Sequence, residues 1–236
     1  MPFITTPDGV QIRYQEFGSG RPLVLAHGFS ASLDMWWPQV DALSQGHRLI
    51  VWDARGHGAS SAPRDRAAYS MPGMAADLRC LLEGIDAVED AVIGGMSFGG
   101  QIALQYTVDH PEDVRALILS DSTTRGDTPP RGEVPLMFQD DYGLEGAFLA
   151  MDSRPDLTSQ LGALQMPALI LYGEYDPMIA AGIDRVASGL PNRRLVLMRY
   201  CSHGTSGQRP MEWADAVLRF LDDVDAGIDV RGEEAV

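Results

Sequence analysis

Three residues in this chain have the types that acyl transfer needs, and they stand in an order that one fold can gather. Ser97 lies in Gly95-Met96-Ser97-Phe98-Gly99, Asp176 in Gly173-Glu174-Tyr175-Asp176-Pro177, and His203 beside Gly204. A serine hydroxyl attacks a carbonyl effectively only when a base takes its proton. An imidazole serves as that base best when a carboxylate orients it and balances the charge it gains. Gly-x-Ser-x-Gly is the spacing that forces a serine onto a sharp, exposed bend. Composition alone would produce the pattern in about one such chain in six, so its surroundings must support it. Ala91-Val92-Ile93 before it reads as a strand, and Gln101-Ile102-Ala103-Leu104-Gln105-Tyr106 after it has helical periodicity. That helix points its N-terminal N–H groups and positive dipole end at the serine, which suits a developing negative charge.

The elements that must position these residues alternate along the chain. Asp8-Gly9 predicts a two-residue turn between Phe3-Ile4-Thr5 and Val10-Gln11-Ile12-Arg13-Tyr14, an antiparallel hairpin. Leu23-Val24-Leu25-Ala26, Leu49-Ile50-Val51-Trp52, Ala116-Leu117-Ile118-Leu119, Ala168-Leu169-Ile170-Leu171-Tyr172 and Leu195-Val196-Leu197-Met198 are continuous apolar runs, as strands buried on both faces should be. Helices are expected over Asp34–Leu43, Pro72–Gly84, from Gln101 to before Pro111, Ile179–Ala187 and Pro210–Val224. Strands that alternate with helices make an α/β domain with helices on both faces. In such sheets functional groups collect just past the C-terminal strand ends. Four strand ends here carry suitable residues: His27-Gly28-Phe29, Ser97, Asp176 and His203.

Composition narrows the function from the other side. The 236 residues suit one domain, with residues 225–236 an acidic, frayed tail. A formal net charge of −15 argues against nucleic-acid and anionic-membrane partners. All 18 basic residues are arginine, which excludes Schiff-base chemistry and a lysine-bound pyridoxal phosphate. Two cysteines far apart, Cys80 and Cys201, make no disulfide framework and suit a reduced, cytoplasmic setting. The N-terminus lacks the pattern of a signal peptide, and no apolar run is long enough to span a membrane. None of His27, His47, His57 and His110 is read as forming a credible metal set with a nearby Cys, Asp or Glu. The oligomeric state stays open.

Taken together, His27-Gly28-Phe29, Asp53-x-Arg55-Gly56-His57-Gly58-x-Ser60, Gly95-x-Ser97-x-Gly99, Gly173-x-x-Asp176-Pro177 and His203-Gly204 resemble the α/β-hydrolase superfamily. The resemblance is to the bacterial type that includes carboxylesterases, enol-lactonases, cofactor-free perhydrolases and C–C bond hydrolases. It covers nearly the whole chain outside Thr123–Gln165. It implies a mostly parallel eight-stranded sheet with an N-terminal antiparallel hairpin. It also implies a small-molecule ester or lactone substrate, and neither cofactor nor metal. Ser97 is then the nucleophile, His203 the base and Asp176 the acid, with Asp121 its rival at the end of the preceding strand. The backbone N–H groups of Phe29 and Phe98 are expected to form the oxyanion hole. His27 and His57 are implied to be structural. Met96, Phe29 and Trp36 are the candidate substrate-pocket residues, with Trp37 beside them, although core packing is weighed above the pocket for both tryptophans. The segment 123–165 stands where relatives carry a helical cap. It is short and rich in Pro, Gly and Asp, so one or two short helices and an open site are expected.

Overall fold

The computed structural model describes residues 2–125, 141–177 and 182–236, with residues 133, 135 and 137. Alternation explains why the apolar runs become strands with two buried faces. Leu23, Leu25, Leu49, Val51, Val92, Ala116, Ile118, Leu169, Leu171, Val196 and Met198 point into one core cluster. Val24, Ala26, Ile50, Trp52, Ala91, Ile93, Leu117, Leu119, Ala168, Ile170 and Leu195, in register between them, point into the other.

The strands are β1 (Phe3–Thr5), β2 (Gln11–Phe17), β3 (Arg21–Ala26), β4 (His47–Trp52), β5 (Ala91–Met96), β6 (Val114–Ser120), β7 (Ala168–Gly173), β8 (Arg193–Met198) and β9 (Gly232–Ala235). They form one sheet in the order β1-β2-β4-β3-β5-β6-β7-β8-β9. β2 pairs antiparallel with β1 and β4, and every other pairing is parallel. The hairpin turns at Asp8-Gly9, where Gly9 has φ +85° and its N–H donates to the Thr6 carbonyl at 2.9 Å.

Helices cover both faces: α1 (Trp37–Leu43), α2 (Met71–Gly84), α3 (Phe98–Asp109), α4 (Tyr142–Asp152), α5 (Ile183–Gly189), α6 (Thr205–Gln208) and α7 (Pro210–Asp225). α1 and α7 pack together on one face, and α2 and α3 on the other. No helix among the described residues is long and apolar enough to cross a membrane.

The topology singles out one crevice. The chain leaves β3 toward β4 on one side and returns to β5 on the other, so the connections from the ends of β3 and β5 diverge there. Ala26 pairs with Gly95 in the last register position of that ladder. The His27-Gly28-Phe29 turn and the Ser97 turn therefore emerge side by side, at the switch point where open α/β sheets bind ligands.

Two expectations change. The sheet has nine strands rather than eight, because the tail expected to fray forms β9 against β8, Arg194 opposite Gly232 through Leu197 opposite Ala235. Backbone pairing and the burial of Val230 hold it, not an apolar strand pattern. The helix expected over 179–187 is observed as α5; residues 178–181 lie outside the described residues. Of the 123–165 segment, α4 and a 3₁₀ helix over Thr158–Ala163 are described, while the openness expected from the run 123–143 falls largely outside the described residues. α4 docks closely: a Cβ on Gly143 would lie 2.3 Å from the Gly56 carbonyl oxygen, and one on Gly146 would lie 2.4 Å from the Tyr69 ring.

Candidate active site

Ser97 stands between β5 and α3 with φ +52° and ψ −112°, a conformation that costs a non-glycine residue about 1–3 kcal/mol. The surroundings impose it. The Ser97 N–H donates to the Ser120 carbonyl at 2.8 Å, while its own carbonyl accepts from Gln101 N at 3.1 Å and Ser122 Oγ at 2.9 Å. The motif's glycines are required by close approach. A Cβ on Gly95 would lie 2.4 Å from the Gly99 carbonyl carbon, and one on Gly99 would lie 2.2 Å from the Ala26 oxygen. The second contact seats the start of α3 directly against the end of β3.

Asp176 and His203 come from neighbouring strand ends. Asp176 follows β7 and its side chain is fully buried; His203 follows β8 and its ring is 25% exposed. The two turns are stitched together by Glu174 N to the Met198 carbonyl at 3.0 Å and Tyr175 N to the Cys201 carbonyl at 2.8 Å. His203 Nδ1 lies 2.7 Å from Asp176 Oδ2, and His203 Nε2 lies 2.9 Å from Ser97 Oγ. An ionised carboxylate only accepts, so Nδ1 carries the hydrogen and Nε2 presents its lone pair to the serine hydroxyl. This chain of contacts can draw the proton from Ser97 and hold it as the oxygen attacks.

Asp121, the rival acid, points elsewhere. Its Oδ2 accepts from Thr205 N at 2.9 Å, Thr205 Oγ1 at 2.8 Å and Ser120 Oγ at 3.1 Å. Burial pushes its carboxyl up from the usual range, opposed by the Thr205 hydrogen bonds and the charge of His203.

At the ends of β3 and β4 the imidazoles are locked. His27 Nε2 accepts from Ala54 N at 3.0 Å, so Nδ1 carries the hydrogen and donates to the Gly28 carbonyl at 2.7 Å. Burial lowers its pKa to about 4. His57, its ring 4.9 Å from His27, is lowered to about 3 by burial and by that neighbour. Asp53 anchors the same corner, accepting from Leu33 N at 2.7 Å, Ala59 N at 2.9 Å and Arg13 Nη1 at 3.2 Å. Arg55 forms a buried fork with Asp77, at 2.6 and 2.5 Å.

Phe29 and Phe98 stand edge to face at 6.1 Å, with Phe148 of α4 6.2 Å from Phe29. The residues whose N–H groups are the expected oxyanion donors are thus adjacent. Met96 fills the gap between two turns: its Sδ would lie 2.7 Å from a Cβ on Gly28, and its methyl 3.6 Å from one on Gly204. Trp36, expected at the substrate pocket, lies in the core instead. A 3₁₀ turn over Leu33–Trp36 rotates it into the core, fully buried 5.2 Å from the Trp213 ring. Trp37 points out, half exposed against Phe17 at 5.5 Å. Sequence reasoning missed Ser122, Thr205 and Gln39. The last is fully buried in α1 and donates from Nε2 to the Ser206 carbonyl at 2.6 Å, just beyond His203. A polar residue in the apolar stripe of α1 was the available signal for Gln39.

Known proteins share this fold. A family model described as alpha/beta hydrolase fold matches residues 21–156, more than half of the chain. A non-heme chloroperoxidase from Streptomyces lividans is 34% identical over 277 aligned residues, covering 94% of this chain and 99% of that one. Among solved structures, a thermophilic esterase from Thermogutta terrifontis superposes with a TM-score of 0.86 at 25% identity, covering 94% and 98% of the two chains. A hydrolase from Pseudomonas aeruginosa does so with 0.80 at 26%, covering 93% and 97%. The fold and the turn that carries Ser97 define a hydrolase of the α/β class. The chain belongs to the alpha/beta hydrolase family.

Proposed function

We propose that the protein is a serine hydrolase that cleaves small to medium carboxylic esters or lactones through an acyl-enzyme. The carrying observation is the contact chain from Asp176 through His203 to Ser97, at 2.7 and 2.9 Å. Ser97 Oγ attacks the ester carbonyl as its proton passes to His203 Nε2. Asp176 holds the ring and balances its charge. The oxyanion is met by the N–H groups of Phe98, at the start of α3, and Phe29, in the turn after β3, each such donor being worth about 2.7–4 kcal/mol in the transition state. His203 then protonates the leaving alcohol, and water, activated by the same ring, releases the acid. A fluorophosphonate probe is expected to label the wild type at Ser97 and not Ser97→Ala. Absence of labelling in folded wild type overturns the reading.

The similarity to a chloroperoxidase supports a second reading on the same triad. Hydrogen peroxide replaces water at the acyl-enzyme and the product is a peracid. Product analysis with an acetate ester, with and without peroxide, separates the two.

A further inference from the structure

Behind His203 lies a buried polar network that the relay does not use. Asp121 is fully buried at the end of β6, held at φ +48°. Three donors converge on its Oδ2: the Thr205 amide, the Thr205 hydroxyl and the Ser120 hydroxyl. Its Oδ1 is buried with no partner among the described residues. Trp213 Nε1 of α7 donates to Ser120 Oγ at 3.0 Å and so fastens the network to the far helix layer. Thr205 is two residues past His203, after Gly204 at φ +91°. The Asp121 carboxylate therefore grips the chain just beyond the base, as Asp176 grips the ring itself. A buried carboxylate with one oxygen left unsatisfied is costly to a fold, and a structural cap would serve as well with a neutral amide.

We infer that Asp121 is a positioning residue for His203: it fixes the turn after the ring through Thr205 and places a second negative charge behind the base. The inference rests on the serine-hydrolase reading for its kinetic consequence, not for the geometry. Among the described residues, the groups facing His203 are Asp176 from the turn after β7, Asp121 from the end of β6 and the Ser97 hydroxyl. The Cys201 thiol also stands in the field of Asp121 and is pushed up chiefly by burial. A second carboxylate favours the imidazolium that forms when Ser97 gives up its proton.

The test is Asp121→Asn, which keeps size and an acceptor but removes the charge. Hydrolysis of p-nitrophenyl acetate is measured against pH, and the His203 ring nitrogens are followed by ¹⁵N NMR in the same proteins. The variant is expected to lose about tenfold in kcat with KM within about twofold. The acidic limb of kcat/KM and the ring-nitrogen signals of His203 followed against pH should both move to lower pH in the variant. Superimposable pH profiles and titration curves for variant and wild type overturn the inference. Should Asp121→Asn fail to fold, Thr205→Val is expected to lower kcat and Thr205→Ser to restore it, and equal kcat in the two overturns it. A Ser97→Ala control that retains turnover sinks the hydrolase reading alone, because the imidazole titration still decides the role of Asp121.

Discussion

Imidazoles stand at two places along the same end of the sheet, and what faces each ring differs. His27 and His57, after β3 and β4, have backbone groups, aromatic rings and each other for neighbours, and burial drives both to pKa values of about 4 and 3. His203, after β8, has one ring nitrogen on a carboxylate and the other on a hydroxyl, with a quarter of the ring open to solvent. Burial without a carboxylate hydrogen-bonded to the ring makes an imidazole a neutral strut. A carboxylate on one side and a hydroxyl on the other arrange it to accept a proton. Residue type is shared; the partner decides the use.

The largest expected difference lies in activity. His203→Ala should lower ester turnover by about 10⁴-fold while moving the unfolding midpoint by only a few degrees. A loss of stability as large as the loss of activity would erase the contrast. His27→Ala should do the reverse. It strands the Ala54 N–H and the Gly28 carbonyl and opens a cavity, at a cost of about 3 kcal/mol by urea denaturation, with kcat per folded molecule within about tenfold of wild type.

Acid should reveal the same strut. The folded pKa of His27 lies below its ordinary 6.5, so the unfolded chain binds the extra proton first. The stability contribution is complete above pH 6.5 and is lost as pH falls toward about 4. The difference between pH 7 and 4.5 should be about 2–3 kcal/mol from His27. His27→Gln, which retains a donor and an acceptor, should show a correspondingly shallower decline, and an unchanged slope would count against this account. The smallest effect tests the bridge between the two places. Met96 touches both turns, and Met96→Leu conserves volume, so it should cost under about 1.5 kcal/mol and change kcat by less than about threefold. A larger kcat loss would mean that the turns do not act independently.

The parts of this molecule legible in the sequence are those whose physics is local. Leu23–Ala26 and Ala168–Tyr172 announce buried strands because both faces must be apolar. Gly95 and Gly99 announce a bend because only glycine admits such contacts. Order along the chain then brings Ser97, Asp176 and His203 to the same end of the sheet, past β5, β7 and β8. β9 was hidden because Gly-Glu-Glu-Ala has no strand signature: its backbone pairs with β8, while Glu233 and Glu234 meet Arg193 and Arg219 at the edge. Trp36 and Trp37 are identical neighbours, and only the pitch of a 3₁₀ turn decides which of them enters the core. What Thr205 and Gln39 bind has no local mark for a related reason, since their partners lie 84 and 167 residues away.

That last separation has a kinetic meaning. The Gln39 amide and the Ser206 carbonyl can meet only after α1 and the chain beyond β8 have docked on the same sheet face, a contact of very high sequence separation. Such contacts are reached late, because the intervening loop entropy is lost before the bond offers any return. The His203 turn is thus seated by one of the last closures in folding. In a refolding experiment, recovered turnover should lag behind recovered secondary structure, and a partly folded chain with an intact Ser97 turn would still be catalytically silent.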